Sequence, residues 1–295
     1  MGARSSSGPF LVLAAATLWG TTGTAQALGP DGITPATVAL VRMAGGATLL
    51  AHAVTRHRTV PLRSLWGWPL FFALATMAGS QPLFFGGVAR TGVAVGTIVT
   101  IGSGPILAGL LAWAIRRERP GPRWPVATTL AVGGAVLLVS GGDAAGIDPV
   151  GLLFAGGAGL AWAVYLVAAK SLFEEHPPVF VAGVVFAGAA VILSPVLIAG
   201  DVAWLGSGHG IVTALWLGIV ATALSYVAFA TGLGTTPVAA AATLTLAEPL
   251  TAAVLGMTVL GEPARLTTIG GMALIAAGIA LLALEGRADP APLPG

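Results

Sequence analysis

The chain has 295 residues, of which 56% are hydrophobic and only 8% charged, and its mean hydropathy is +0.93. A soluble domain carries about a quarter charged residues, so this chain lacks the polar surface that a water-soluble fold needs. A formal charge of +2 is too small to argue for nucleic acid, zero Cys excludes disulfides and thiol chemistry, and 43 Gly suit close helix packing in lipid.

A hydrocarbon core about 30 Å thick takes about 20 helical residues. Runs of that kind occur at 9–28, 34–54, 66–88, 92–115, 124–141, 150–169, 179–199, 211–230, 237–260 and 266–284. A closed barrel would alternate polar and apolar residues along its strands, and these runs do not. The pattern therefore predicts an all-α integral membrane protein with ten transmembrane helices. Arg4, the first apolar run and AQA at 25–27 imitate a secretory signal peptide, but the repeat described below needs that run as a helix.

Taken in order, the first run carries Trp19, Thr22 and Gln26, the second Arg42, and the third Gln81. Gly92 and Gly96 open the fourth as a GxxxG that reads as close packing, and Pro105 lies within it. The sixth carries Trp162 and Tyr165, the eighth Tyr226, and the ninth Glu248 with Pro249. Trp66, Trp68, Trp124 and Trp204 stand near run ends, where interfacial anchors are expected. The four His (52, 57, 176 and 209) lack metal-ligand spacing, and neither metal nor cofactor is implied.

With the N-terminus cytoplasmic, the inside loops hold Arg4, Arg56, Arg58, Arg63, Arg116, Arg117, Arg119, Arg123, Lys170 and Arg287, against Arg90 and Arg265 outside. That asymmetry predicts a multi-pass protein of the cell inner (plasma) membrane with both termini cytoplasmic.

Sliding the chain on itself by 143 residues aligns Trp19 with Trp162, Pro35 with Pro178 and Leu50 with Leu193. A shift of 144 aligns Phe85 with Phe229, Thr91 with Thr235, Pro105 with Pro249, Glu118 with Glu262 and Gly134 with Gly278, so one residue is inserted between the two sets. Five spans per repeat, an odd number, force the second copy to enter the membrane upside down. The expected organisation is a cytoplasmic N-terminus 1–8, a first five-helix repeat 9–141, an inverted second repeat 150–285 and a disordered cytoplasmic tail 286–295.

The duplicated unit, LWG at 18–20, Arg42 in the second span and AEPLTAAVLGMTVLGEP at 247–263 together resemble an EamA-type member of the drug/metabolite transporter superfamily. The first-half counterpart, SGPILAGLLAWAIRRERP, keeps the Pro and the terminal Glu but has Gly104 where the second half has Glu248. The resemblance implies a secondary-active exporter of small metabolites, amino acids or amphiphilic organic compounds, working by alternating access and not an enzyme. It implies a small-molecule substrate with or without proton coupling, contact with the lipid bilayer, no nucleic acid, and a fold compatible with a homodimer. A membrane-embedded enzyme or a channel or sensor on the same fold is the alternative, but no cluster of catalytic side chains is apparent in the spans.

Arg42 and Glu248 are the two clear intramembrane charges, about 12 Å and about 18 Å below the outer face by helix rise. Glu248 reads as a protonation or substrate-ammonium site, as half of a fixed pair with Arg42 that orients two helices, or as a carboxyl bonded to backbone freed by Pro249. Trp19, Trp162, Gln81, Tyr226 and Tyr165 are the candidate cavity surface. Pro105 and Pro249 remove backbone donors at equivalent places, so both helices are expected to kink there as hinges.

Overall fold

The computed structural model describes residues 7–56, 60–140, 148–197 and 202–285. The expected tail 286–295, with Arg287, and the loop residues Arg4, His57, Arg58, Asp143 and Asp201 lie outside the described residues. Every element among the described residues is helical. The main helices are α1 (Gly8–Ala27), α2 (Pro35–Arg56), α3 (Trp68–Gly92), α4 (Val95–Arg116), α5 (Trp124–Val139), α6 (Pro149–Glu175), α7 (Pro178–Leu197), α8 (Gly208–Thr235), α9 (Val238–Thr258) and α10 (Leu266–Glu285).

Helices α3, α4, α6, α8, α9 and α10 are long and apolar enough to cross a membrane, and α2, α5 and α7 contain shorter apolar helices. Large apolar side chains also cover the outside, among them Phe71 at 65%, Leu153 at 74% and Val191 at 73% exposure. An uncovered apolar coat of that kind needs lipid around it. The protein is therefore an integral membrane protein of the all-α class.

Local chemistry sets the helix ends. Proline opens α5 and α6 in the first turn, where a missing N–H costs nothing. The Asp148 carboxylate caps α6 by accepting from the N–H of Val150 at 2.8 Å and of Gly151 at 3.4 Å. Between α3 and α4 the chain turns at Gly92, with φ 82° and ψ 160°, a region open to glycine alone. Gly92 therefore serves the turn and not the helix packing expected of the GxxxG. In α9, Pro249 cannot donate to the Thr245 carbonyl, which instead accepts from Glu248 N–H at 3.0 Å, and the helix is interrupted at Thr245–Leu246. In α4 the helix runs unbroken through Pro105.

Packing brings the halves together. Helix α6 lies along the α3–α4 run, α2 against α7, α1 against α8 and α9, and α5 against α10. Gly45 of α2 sits directly on the Gly218 backbone of α8, an approach that leaves no room for a Cβ. Gly134 meets the Gly271 carbonyl while Gly278 meets that of Ala127, so α5 and α10 run antiparallel.

Two expectations need correction. Trp204, read as an interfacial anchor, is 6% exposed and packs with Val38, Val41 and Leu217. Lys170, read as a loop residue, lies within α6 and is buried, because its ammonium can reach the carbonyls that end α8.

Candidate functional site

The stretch Trp216–Leu224 of α8 is π-helical, and one extra residue is what a π turn accommodates. It falls within the interval, after Leu193 and before Phe229, where the repeat offset lengthens by one. This segment and the turn after it hold two polar side chains from other helices. Thr222 Oγ1 accepts from Arg42 Nε at 3.2 Å, and Ser225 Oγ accepts from Trp19 Nε1 at 2.8 Å. Both hydroxyls also donate to carbonyls of their own helix. Arg42 and Trp19 are thereby aimed at the interior from α2 and α1.

Around Trp19 the aromatic rings form one block. Its ring lies 5.9 Å from Trp162 and 5.0 Å from Tyr226, and Phe229 fills the gap. Such edge-to-face and tilted contacts are the favoured aromatic geometry. Trp19 and Trp162 are repeat equivalents, so equivalent residues meet each other at the centre.

This block forms one wall of a cavity of about 390 Å³. Trp19, Arg42, Gln81, Trp162, Tyr226, Glu248, Pro105 and Pro249 all line it. Tyr165 does not; it is 1% exposed, stacked behind Trp162 at 5.4 Å, its hydroxyl without a partner among the described residues. Phe84, Ser80, Thr97, Thr100 and Thr245 complete the polar and aromatic lining. Those hydroxyls were not singled out in the sequence, although each is a polar residue inside an apolar run, which was the available signal.

The two charges share the cavity without joining. No ion pair links Arg42 to Glu248 among the described residues. Glu248 is exposed, and the surface it exposes is that of the cavity; its carboxylate accepts no hydrogen bond among the described residues. Arg42 spends only Nε on Thr222, leaving both terminal nitrogens for something else. Gly104, the first-half equivalent of Glu248, lines the same cavity. The break ahead of Pro249 puts Glu248 in the first turn of the second segment of α9, where a helix N-terminus favours a negative charge.

Next to the cavity residues Pro105 and Thr245 along α4 and α9, Ala108, Ala112, Ala241 and Ala242 form a layer that is 0% exposed. Beyond that layer lies a charged cluster. Arg116 donates to Glu118, Ser171 and Glu174, each at 2.6 Å, and Lys170 donates to the carbonyls of Leu233 at 3.1 Å and Thr236 at 2.6 Å.

A lipid-coated helical bundle wrapped around a central charged cavity is the build of a membrane transport protein. The sequence profile of the EamA-like transporter family matches residues 6–140 and again residues 149–284, and the chain belongs to that family, within the drug/metabolite transporter superfamily. It is similar to the uncharacterized transporter YwfM of Bacillus subtilis, 42% identical over 94% of each chain. It is also similar to the threonine/homoserine exporter RhtA of Escherichia coli K12, 31% identical over 92% of this chain and 89% of that one. A crystal structure of another protein superposes with a TM-score of 0.80 over 96% of this chain and 98% of its own, at 22% identity, a likeness of fold.

Proposed function

We propose that the protein is a secondary-active exporter of small zwitterionic metabolites, amino acids foremost, working by alternating access around the Glu248/Arg42 cavity. The observation that carries this is the pair of opposite charges facing one cavity unpaired: a carboxylate for an ammonium, and a guanidinium fork for a carboxylate. A volume of about 390 Å³ suits one small solute, and Gln81 and Thr97 add polar groups without hydrogen-bond partners among the described residues. The activity for which the RhtA relative is named, threonine and homoserine export, supports both the class and the outward direction. Glu248 would bind the substrate ammonium and a proton in turn.

Inverted five-helix repeats, with α1–α10 as ten spans, supply the mechanical symmetry. Three sets of contacts support that arrangement. Trp19 meets its own equivalent, Trp162. Gly134 on Gly271 has its repeat mate in Ala127 on Gly278, which makes the equivalent helices α5 and α10 antiparallel. Gly8 beside Thr235 has its mate in Gly151 beside Thr91. The excess of basic residues in the loops of one side supports a cytoplasmic Arg116–Arg123 face, with the cavity toward the outside of the inner membrane.

Counterflow in proteoliposomes over an amino-acid panel tests the reading. Saturable exchange is expected, with a loss of about tenfold or more in Glu248→Gln. Unsaturable conduction would sink the carrier, and undiminished, pH-insensitive exchange in the variant would remove the role of the carboxylate.

A further inference from the structure

We infer that Glu118 and Glu262 are paired latches of the transport cycle: Glu118 holds shut the face closed in this structure, and Glu262 shuts the opposite face by binding the start of α4. The inference rests on reading the fold as inverted repeats that alternate.

Helices α4 and α9 end in the same way. Arg117 has φ 56° and its equivalent Gly261 has φ 72°; Glu118 N–H reaches back to Ala112 O at 3.2 Å, and Glu262 N–H to Gly256 O at 3.0 Å. These bonds back to the sixth residue before, around a left-handed residue, are helix caps of one design, and each presents a carboxylate at the same point.

Only one of those carboxylates is engaged. Glu118 Oε2 accepts from the N–H of Val238, the first residue of α9, at 3.1 Å. The contact crosses from one repeat to the other and sets a negative charge on a helix N-terminus. By the 144-residue correspondence, Val238 matches Ala94, the residue just ahead of α4, so the mate of this bond joins Glu262 to the Ala94 amide. That mate is not made here. Glu262 is exposed, lies over Gly256, and its carboxylate forms no hydrogen bond among the described residues. One latch shut and its equivalent open is the pattern expected of a single state in a two-state device.

The two latches are unequal. Arg116 braces Glu118, and its repeat equivalent is Leu260, so the opposite latch has no guanidinium to hold it. The bias favours the state seen here.

The absence of native Cys allows two cross-linking pairs to be compared in membranes. Arg119→Cys with Pro237→Cys reports the latched face, since both residues line one cavity there; Val95→Cys with Pro263→Cys reports the other. With a short bifunctional thiosulfonate, Glu118→Gln should raise the ratio of second-pair to first-pair product roughly tenfold, the scale of one charge-assisted hydrogen bond. Glu262→Gln should lower the ratio below that of the parent. A ratio that neither substitution moves, in a parent that still exchanges solute, overturns the latches alone. A parent that exchanges nothing, and whose second pair never cross-links, overturns alternating access and the latches with it.

Discussion

Ser225 illustrates how a residue outside the cavity can govern it. Its hydroxyl is the acceptor for Trp19 Nε1, and Trp19 supports the aromatic block. Ser225→Ala leaves a buried indole N–H unanswered, which within a bilayer costs about 0.6–1 kcal/mol. A lower unfolding temperature in detergent together with weaker substrate binding is expected; thermal melts and counterflow on the same preparation check it, and wild-type values for both would refute it. Glu248, Arg42, Trp19, Trp162, Gln81 and Tyr226 all stand out inside apolar runs of the sequence, and all six line one cavity. Polarity in an apolar run signals avoidance of lipid, which is why these were visible. The same signal does not separate a cavity wall from the layer behind it, so Tyr165 carried equal weight although it sits behind Trp162. Thr222 and Ser225 escaped notice because each hydroxyl also satisfies its own helix, leaving no pattern in the sequence.

Helices were the most legible level, since a run of apolar residues long enough to cross lipid has few other structures open to it. What the runs left hidden was their interruptions. Proline predicted a kink in both α4 and α9; α9 is interrupted ahead of Pro249, α4 stays helical through Pro105, and the sharp turn falls at Gly92, which the runs did not reveal. Helix ends are more predictable where a cap is charged. Backbone N–H groups, that of Val150 first and then that of Gly151, together with Arg90 at 3.4 Å, hold the Asp148 carboxyl below the ordinary aspartate range. A lowered folded value means that the cap stabilises α6 above the ordinary carboxylate range and loses that contribution as pH falls through the folded value. Melting temperature measured against pH should therefore drop less steeply on acidification in Asp148→Asn than in the parent. Identical acid limbs would exclude Asp148 as a titrating cap.

For the whole molecule, duplication was readable from a handful of Trp, Phe, Pro and Glu pairs, while the contacts between copies were not, because a sequence offset carries no information about which faces touch. The proposed orientation makes a direct prediction. Single Cys residues at Asp31 and Asp148 should react with an impermeant maleimide in intact cells, whereas one at Arg119 should react only after permeabilisation; the reverse pattern would invert the topology. The π-helical stretch of α8 adds something about how such a molecule changes over time. Losing one residue from Trp216–Leu224 need not break the helix; it would restore α geometry locally and leave the residues on either side facing as they do now. Tyr226 would keep its place on the cavity wall, whereas Thr222, which accepts from Arg42, lies inside the remodelled stretch. Insertions and deletions are usually accommodated in loops, but here a single-codon event inside a membrane helix would alter only the turns that hold Arg42 and leave the rest of the wall in place.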